Sequence, residues 1–238
     1  ETALTSSIVS AQTSIISNTD DAHTALAQAN MDGSNVSGTS SELAAALTGS
    51  FSDASSNTFS ARISITNADY TTSQLKIINT ATTGTIFLHT TNTSLTGSAA
   101  DLQTALSGSI NFTGNVTVED GTGSDIAATV LSAIGGATTG TVTVSNAVNI
   151  TGTTNQVTGA LVTAGTLVVA TSATVAIDDN PTISELNAIA AKTDGAVTAT
   201  LAANSLSNLG ALTTAGTDVI TITVNDGVST VNAEDLSA

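Results

Sequence analysis

Apolar positions along the chain fall into a short, recurring alternation. Thr141-Val142-Thr143-Val144 and Ile220-Thr221-Ile222-Thr223-Val224 place a β-branched apolar residue at every second position, the period of a half-buried strand. After a polar bend comes a second short apolar run, such as Val148-Asn149-Ile150 or Val175-Ala176-Ile177. A Ser, Thr, Asn or Asp then precedes an Ala/Leu stretch with helical spacing. In "GSAADLQTAL", Ser98 is the predicted cap, Asp101 stands at the third helical position, and Leu102 and Leu106 share a face. In "ISELNAIAA", Ser184 is the predicted cap, with Leu186 and Ile189 facing inward.

This strand-strand-helix grammar repeats. "INTATTGTIFL" (78–88), "IGGATTGTVTV" (134–144) and "IAAKTDGAVTA" (189–199) align, and their glycines Gly84, Gly140 and Gly195 are spaced 56 and 55 residues apart. Each long period divides into two units of about 23–30 residues, for example 82–107 and 108–137, each opening on a Gly or Gly-Thr turn. One such unit cannot bury its own apolar face, whereas stacked units can. The expected fold is therefore an elongated α/β repeat solenoid with parallel β-sheets. A β-helix with the Ala-rich segments as loops, or an all-β sandwich, are the alternatives.

The first third is less regular. "TSSELAAALTG" (39–49) reads as a capped helix and 61–81 as strand, loop and helix. Residues 1–48 are expected as an atypical, partly helical N-terminal segment, with an apolar stripe through Ile8, Ile15 and Ile16 and a hinge at 31–41. Residues 49–238 are expected as the repeat array. At its end, Asn232-Ala233-Glu234-Asp235-Leu236 resembles the start of a helix, and earlier units continue from that point into a new strand. The last repeat is thus expected to be truncated, with Val228, Val231 and Leu236 packing against another copy of the chain.

Composition narrows the chemistry. Apolar residues make up 40% of the 238 positions but aromatics only 2%, so the core is built from Ala, Val, Ile and Leu, as suits thin layers. Mean hydropathy is +0.29, which argues against a disordered Thr-rich chain. Nineteen acids face three bases, Arg62, Lys76 and Lys192, for a net charge of -16. No basic patch can form, so nucleic acid and anionic membrane surfaces are excluded as partners. Without cysteine there is neither a disulfide framework nor a thiolate metal site. No apolar run approaches the roughly 18 residues of a membrane-spanning helix, and "GALVTAGTLVVATSATVAI" (159–177) is broken throughout by Gly and Thr.

Catalytic constellations are missing from the sequence. His23 and His89 stand in unrelated contexts, and there is no HExxH, GxSxG or P-loop. The expectation is a protein that is not an enzyme. Acidic loops at 118–125, 177–182 and 224–227 bring together Glu119, Asp120, Asp125, Asp178, Asp179 and Asp226. Such loops offer carboxylate oxygens of the kind calcium takes, although none has the EF-hand spacing. The competing reading is turn formation, with Asp125 and Ser184 as helix caps. Regular threonines on one strand face are also compatible with ice or polysaccharide binding, but they drift in register. Sequons at Asn35, Asn92, Asn111, Asn115 and Asn149 are about as many as so much Asn, Ser and Thr produces by chance.

"TTGTVTVSNAVNITGTTNQV", "LTGSAADLQTAL" and "ISELNAIAAKTDGAVTA" resemble repeat regions of very long bacterial surface and secreted proteins, giant adhesins and proteins with hemolysin-type calcium-binding repeats among them. The likeness covers roughly residues 78–238. It implies an extracellular or cell-surface setting and a structural or adhesive role. The nonapeptide GGxGxDxUx is not found here, so the calcium ladder of those families does not carry over. The expected partners are copies of the same chain, through head-to-tail or lattice contacts in a surface layer, matrix fibre or filament. An adhesin stalk or viral tail-fibre module that binds a glycan is the alternative, and a calcium-stabilised hydrolase fragment ranks last.

Overall fold

The fold was derived from a computed structural model, which describes residues 26, 28–29, 33–48, 58–89, 94–165, 168–225 and 227. The chain forms two compact units, one of residues 1–116 with 137–140 and the other of 117–136 with 141–238. Among the described residues strands and short helices alternate, and every sheet is parallel.

In the first unit the order is β1 (Val36–Gly38), α1 (Ser40–Leu47), β2 (Ile63–Ile65), α2 (Thr72–Ala81), β3 (Ile86–Phe87), β4 (Ser94–Gly97) and α3 (Ala99–Ala105). Strands β1, β2 and β3 form one sheet. Its register puts Val36 beside Ile63 and Ile63 beside Ile86, and all three side chains are buried. β5 (Asn115–Val118) lies at the boundary between the two units.

The second unit continues with β6 (Asp125–Ala127), α4 (Ala128–Gly136), β7 (Val142–Val144), β8 (Asn149–Gly152) and α5 (Thr154–Leu161). Then come β9 (Val168–Val169), β10 (Thr174–Ile177), α6 (Ile183–Ala190), β11 (Val197–Thr200), α7 (Leu206–Leu209) and β12 (Val219–Thr221). One sheet has the order β12-β11-β10-β8-β6, and β7 pairs separately with β9. Ile126, Ile150, Val175 and Val197 line up across four strands as a continuous buried row.

Registered partners are 21 to 27 residues apart in sequence. Within each sheet one sequence unit, or coil, therefore lays a strand in parallel beside a strand of a neighbouring unit. The helices obey the same rule. A hydroxyl at the N-cap accepts the N3 amide: Thr39, Thr71, Thr153 and Thr182 form full capping boxes with Glu42, Gln74, Gln156 and Glu185. Four residues after each cap stand Leu43, Leu75, Val157 and Leu186, and after Ser98 stands Leu102; all are buried. Three positions further on, Ala46, Ile78, Ala105, Ala160 and Ile189 are buried too. Each of these five helices thus turns at least this pair inward, and burying one Leu or Ile stabilises by about 1.5–3 kcal/mol.

The aligned Thr-Xaa-Gly segments form the corners between helix and strand. The hydroxyls of Thr82, Thr138 and Thr193 donate to the carbonyls of Phe59, Gly114 and Ala173, one coil earlier. The same oxygens accept the amides of Gly84, Gly140 and Gly195, at 3.0 Å in all three. A Cβ on any of these glycines would collide with the backbone of the preceding coil, at Ala61, Gly114 or Ala173. The glycine is needed here for close approach of two backbones.

Several expectations are refined. The Ala-rich segments are helices, as α3 and α6 show, so they are not the loops of a pure β-helix. The cap of α6 is Thr182 rather than Ser184, because Thr182 reaches the Glu185 amide while Ser184 sits inside the first turn. Asp125 does not cap a helix: it belongs to β6 and accepts from the Asn149 side chain at 2.7 Å. Ser98, Leu102, Leu106, Leu186 and Ile189 take the places expected of them. Within 31–41, Val36–Gly38 form paired strand β1 and Ser40 begins α1. Of the expected N-terminal helix, Leu26 and residues 28–29 are helical and the rest lies outside the described residues.

The corner makes a clear prediction. Thr138→Val strands two backbone partners and lowers stability by about 1–3 kcal/mol. Gly140→Ala lowers it further, because backbone must move. Leu186→Ala costs about 2–5 kcal/mol. Chemical denaturation of the three variants checks this order, and a Gly140→Ala protein as stable as the parent would refute the corner.

Candidate functional site

The acidic loops were the strongest chemical signal in the sequence, and the fold gives several of their residues structural partners. Asp125 holds Asn149 across neighbouring strands. Asp179 takes the Thr154 amide at 2.7 Å, together with the Thr154 hydroxyl, and so caps α5 from the following coil. Asn67 does the same for α1, accepting the Ser40 amide at 2.6 Å. The Asp120 carbonyl accepts from the Asn146 side chain at 2.8 Å. Glu119 and Asp178 are exposed. Asp226, Val228, Val231 and Leu236 lie outside the described residues. Among the described residues no three acidic or histidine side chains are grouped so that they could hold a metal ion.

These hydrogen bonds set the carboxylates' acidity. The Thr154 hydroxyl and amide hold Asp179 below the usual carboxylate range. Glu185 is lowered by the Thr182 amide and hydroxyl, which outweigh its burial and the like charge of Asp179. Asp101 is lowered chiefly by its hydrogen bond to Lys76, and Asp69 by Asn67. Burial pushes the Tyr70 phenol up to about 12, so it remains a donor, and it reaches the His89 carbonyl at 3.3 Å. His23 lies outside the described residues.

Shallow clefts occur in the second unit. A cleft of about 530 Å³ is lined by Thr182, Ser184, Asn187, Asn204, Ser207 and Asn208 among others. Its amides are already engaged: Asn187 donates to the Ala211 carbonyl at 2.8 Å and accepts the Thr213 amide at 2.9 Å. Asn204 accepts from Asn208 at 2.8 Å. A smaller cleft of about 290 Å³ runs beside Val169 and Lys192.

What recurs is a set of contacts between coils. Side-chain hydrogen bonds run between residues 20 to 28 positions apart, among them Thr72 to the Thr96 carbonyl, Asn79 to Ser107 and Ser145 to the Val118 carbonyl. Two of the three basic residues act likewise: Lys76 pairs with Asp101, and Arg62 stacks over Phe87 at 3.8 Å. The sequence reading missed these bridges because each partner, taken alone, looks like a surface polar residue. The available signal was the offset, since Asn67 and Asp179 lie 27 and 25 residues beyond the helix starts they cap. Comparison with protein-family models, curated proteins and solved structures finds no match.

The lowered carboxylates determine the acid response. A carboxylate whose folded pKa is depressed contributes stability above its unfolded pKa and loses it as pH falls through the folded value. Asp179→Asn should therefore melt below the parent at neutral pH, with the gap closing as pH falls below about 4. Thermal melts across that range check this, and a constant gap would refute it. Because Asp125 and Asp179 are bound by Asn149 and Thr154, millimolar calcium or chelator should leave the parent's melting temperature unchanged.

Proposed function

We propose that this chain is a non-enzymatic structural protein of the cell exterior, a solenoid module that assembles with copies of itself into a layer, fibre or filament. The observation carrying this reading is the direction of its polar contacts. Thr, Asn and Asp side chains are used to tie one coil to the next instead of converging on a cleft. Parallel strands one coil apart form a pattern that extends by adding coils. The acidic surface keeps such an array soluble and excludes polyanionic partners. None of the described helices is long and apolar enough to cross a membrane. The surface setting itself rests on the resemblance of the repeats.

The second reading is a stalk or tail-fibre module that binds a glycan. The 530 Å³ cleft favours it, since hydroxyl and amide groups are what a sugar would meet there. Calcium is retained in neither reading as a required ion.

Negative-stain electron microscopy of the concentrated protein should show filaments or sheets. Monodisperse monomers at millimolar concentration would sink the assembly reading, and saturable binding on a glycan array would replace it with the second.

A further inference from the structure

We infer that the outward face of the β1-β2-β3 sheet binds a glycan through a terminal sugar that carries a carboxylate, with Phe87 against the sugar ring and Arg62 on the acid. This goes beyond the proposed assembly and holds with or without it. The face belongs to the first unit, whereas the 530 Å³ cleft belongs to the second.

Register lays the face out in two rows. Val36, Ile63 and Ile86 are paired and buried, so the residues on either side of each point outward. One row is Asn35, Arg62 and Thr85, all exposed. The Val36 amide donates to the Arg62 carbonyl at 2.9 Å and the Ile63 amide to the Thr85 carbonyl at 3.0 Å, which holds this row side by side. The other row is Ser37, Ser64 and Phe87. The Arg62 guanidinium reaches across and lies 3.8 Å from the centre of the Phe87 ring.

Phe87 departs from the burial of its kind. Phe59, Phe112 and Tyr70 are 1%, 2% and 4% exposed, while Phe87 is 46% exposed. Its registered neighbours Ser37 and Ser64 are small and polar, so the core gains little from an aromatic ring at this place. Arg62 departs from the charge of its surroundings. Segments 33–38, 60–66 and 83–89 contain no acid, in a chain that carries 19. Among the described residues no carboxylate lies within ion-pair reach of Arg62.

These groups match one ligand chemistry. A guanidinium presents paired donors in the geometry of a carboxylate. An exposed ring offers an apolar surface to the C–H face of a pyranose, and the Asn35 amide with the Ser64 and Thr85 hydroxyls suits sugar hydroxyls. A protein partner would call for an apolar centre, and Phe87 is the one large apolar side chain in the two rows. A polyanion is repelled by the net charge of -16. A single carboxylate answers to the nearby charge alone, because exposed charges beyond about 8 Å are largely screened at physiological salt.

Saturation-transfer NMR at physiological salt tests this with the methyl glycosides of glucuronate, galacturonate and N-acetylneuraminate, each set against its methyl ester. At least one acid should bind saturably, and its uncharged ester more weakly by about tenfold. Arg62→Gln should erase that preference. Phe87→Ala should weaken binding of the acid, while Phe87→Tyr, which keeps the ring, should retain it. Circular dichroism and thermal melts establish that each variant is folded. The inference is overturned if none of the acids binds, if acid and ester bind equally, or if the preference survives Arg62→Gln. Binding untouched by Phe87→Ala and Arg62→Gln together overturns it as well and directs attention to the cleft of the second unit. None of these outcomes bears on assembly, which micrographs judge separately.

Discussion

The fold depends on how closely one coil's backbone approaches the next. At each Thr-Xaa-Gly corner a threonine hydroxyl bridges the carbonyl of the preceding coil and the glycine amide two residues on. That single oxygen satisfies two backbone groups where the chain turns from helix to strand. The glycine beside it has no side chain because none fits. With this spacing set, parallel strands lie beside their counterparts one coil away and the buried rows become continuous.

The unusual composition follows from the same geometry. A coil of two short strands and a two-turn helix leaves little room for large inward side chains. Ala, Val, Ile and Leu fill that space, while the rare large residues Phe59 and Phe112 are fully buried at corner bridges. Thr and Asn are abundant because each coil needs donors for the carbonyls of its neighbours and acceptors for their helix starts. Acids take part as well: Asp179 and Glu185 lower their own pKa values by accepting amides and hydroxyls, so part of the acidic character is structural. The lone described ion pair, Lys76 with Asp101, is nearly half exposed on both sides and adds little.

The acidic loops show how little a local window says about a carboxylate's partners. Asp125 and Asp179 look alike in sequence, each in a polar stretch after apolar residues. In the fold one braces a neighbouring strand and the other caps a neighbouring helix. Both partners lie about 25 residues away, outside any window in which loop chemistry is judged. Ser184 was misplaced as a cap for a different reason. Two hydroxyls, Thr182 and Ser184, precede the same helix, and only the Thr182–Glu185 spacing closes a capping box.

By itself the sequence determined the repeat length, the alternation of strand and helix, and the inward residues of each helix. Those properties follow from local periodicity and cap chemistry, which a short window contains. Parallel pairing one coil apart followed from the repeat length, since no other register aligns like with like. Only the tertiary structure decided which strands share a sheet and which polar residue bridges which coil. It also decided that Leu186 and Val197 are closed in, which their letters alone do not say. A repeat carries the same letters wherever it stands, so burial depends on whether a neighbouring coil covers it, and no single coil records that.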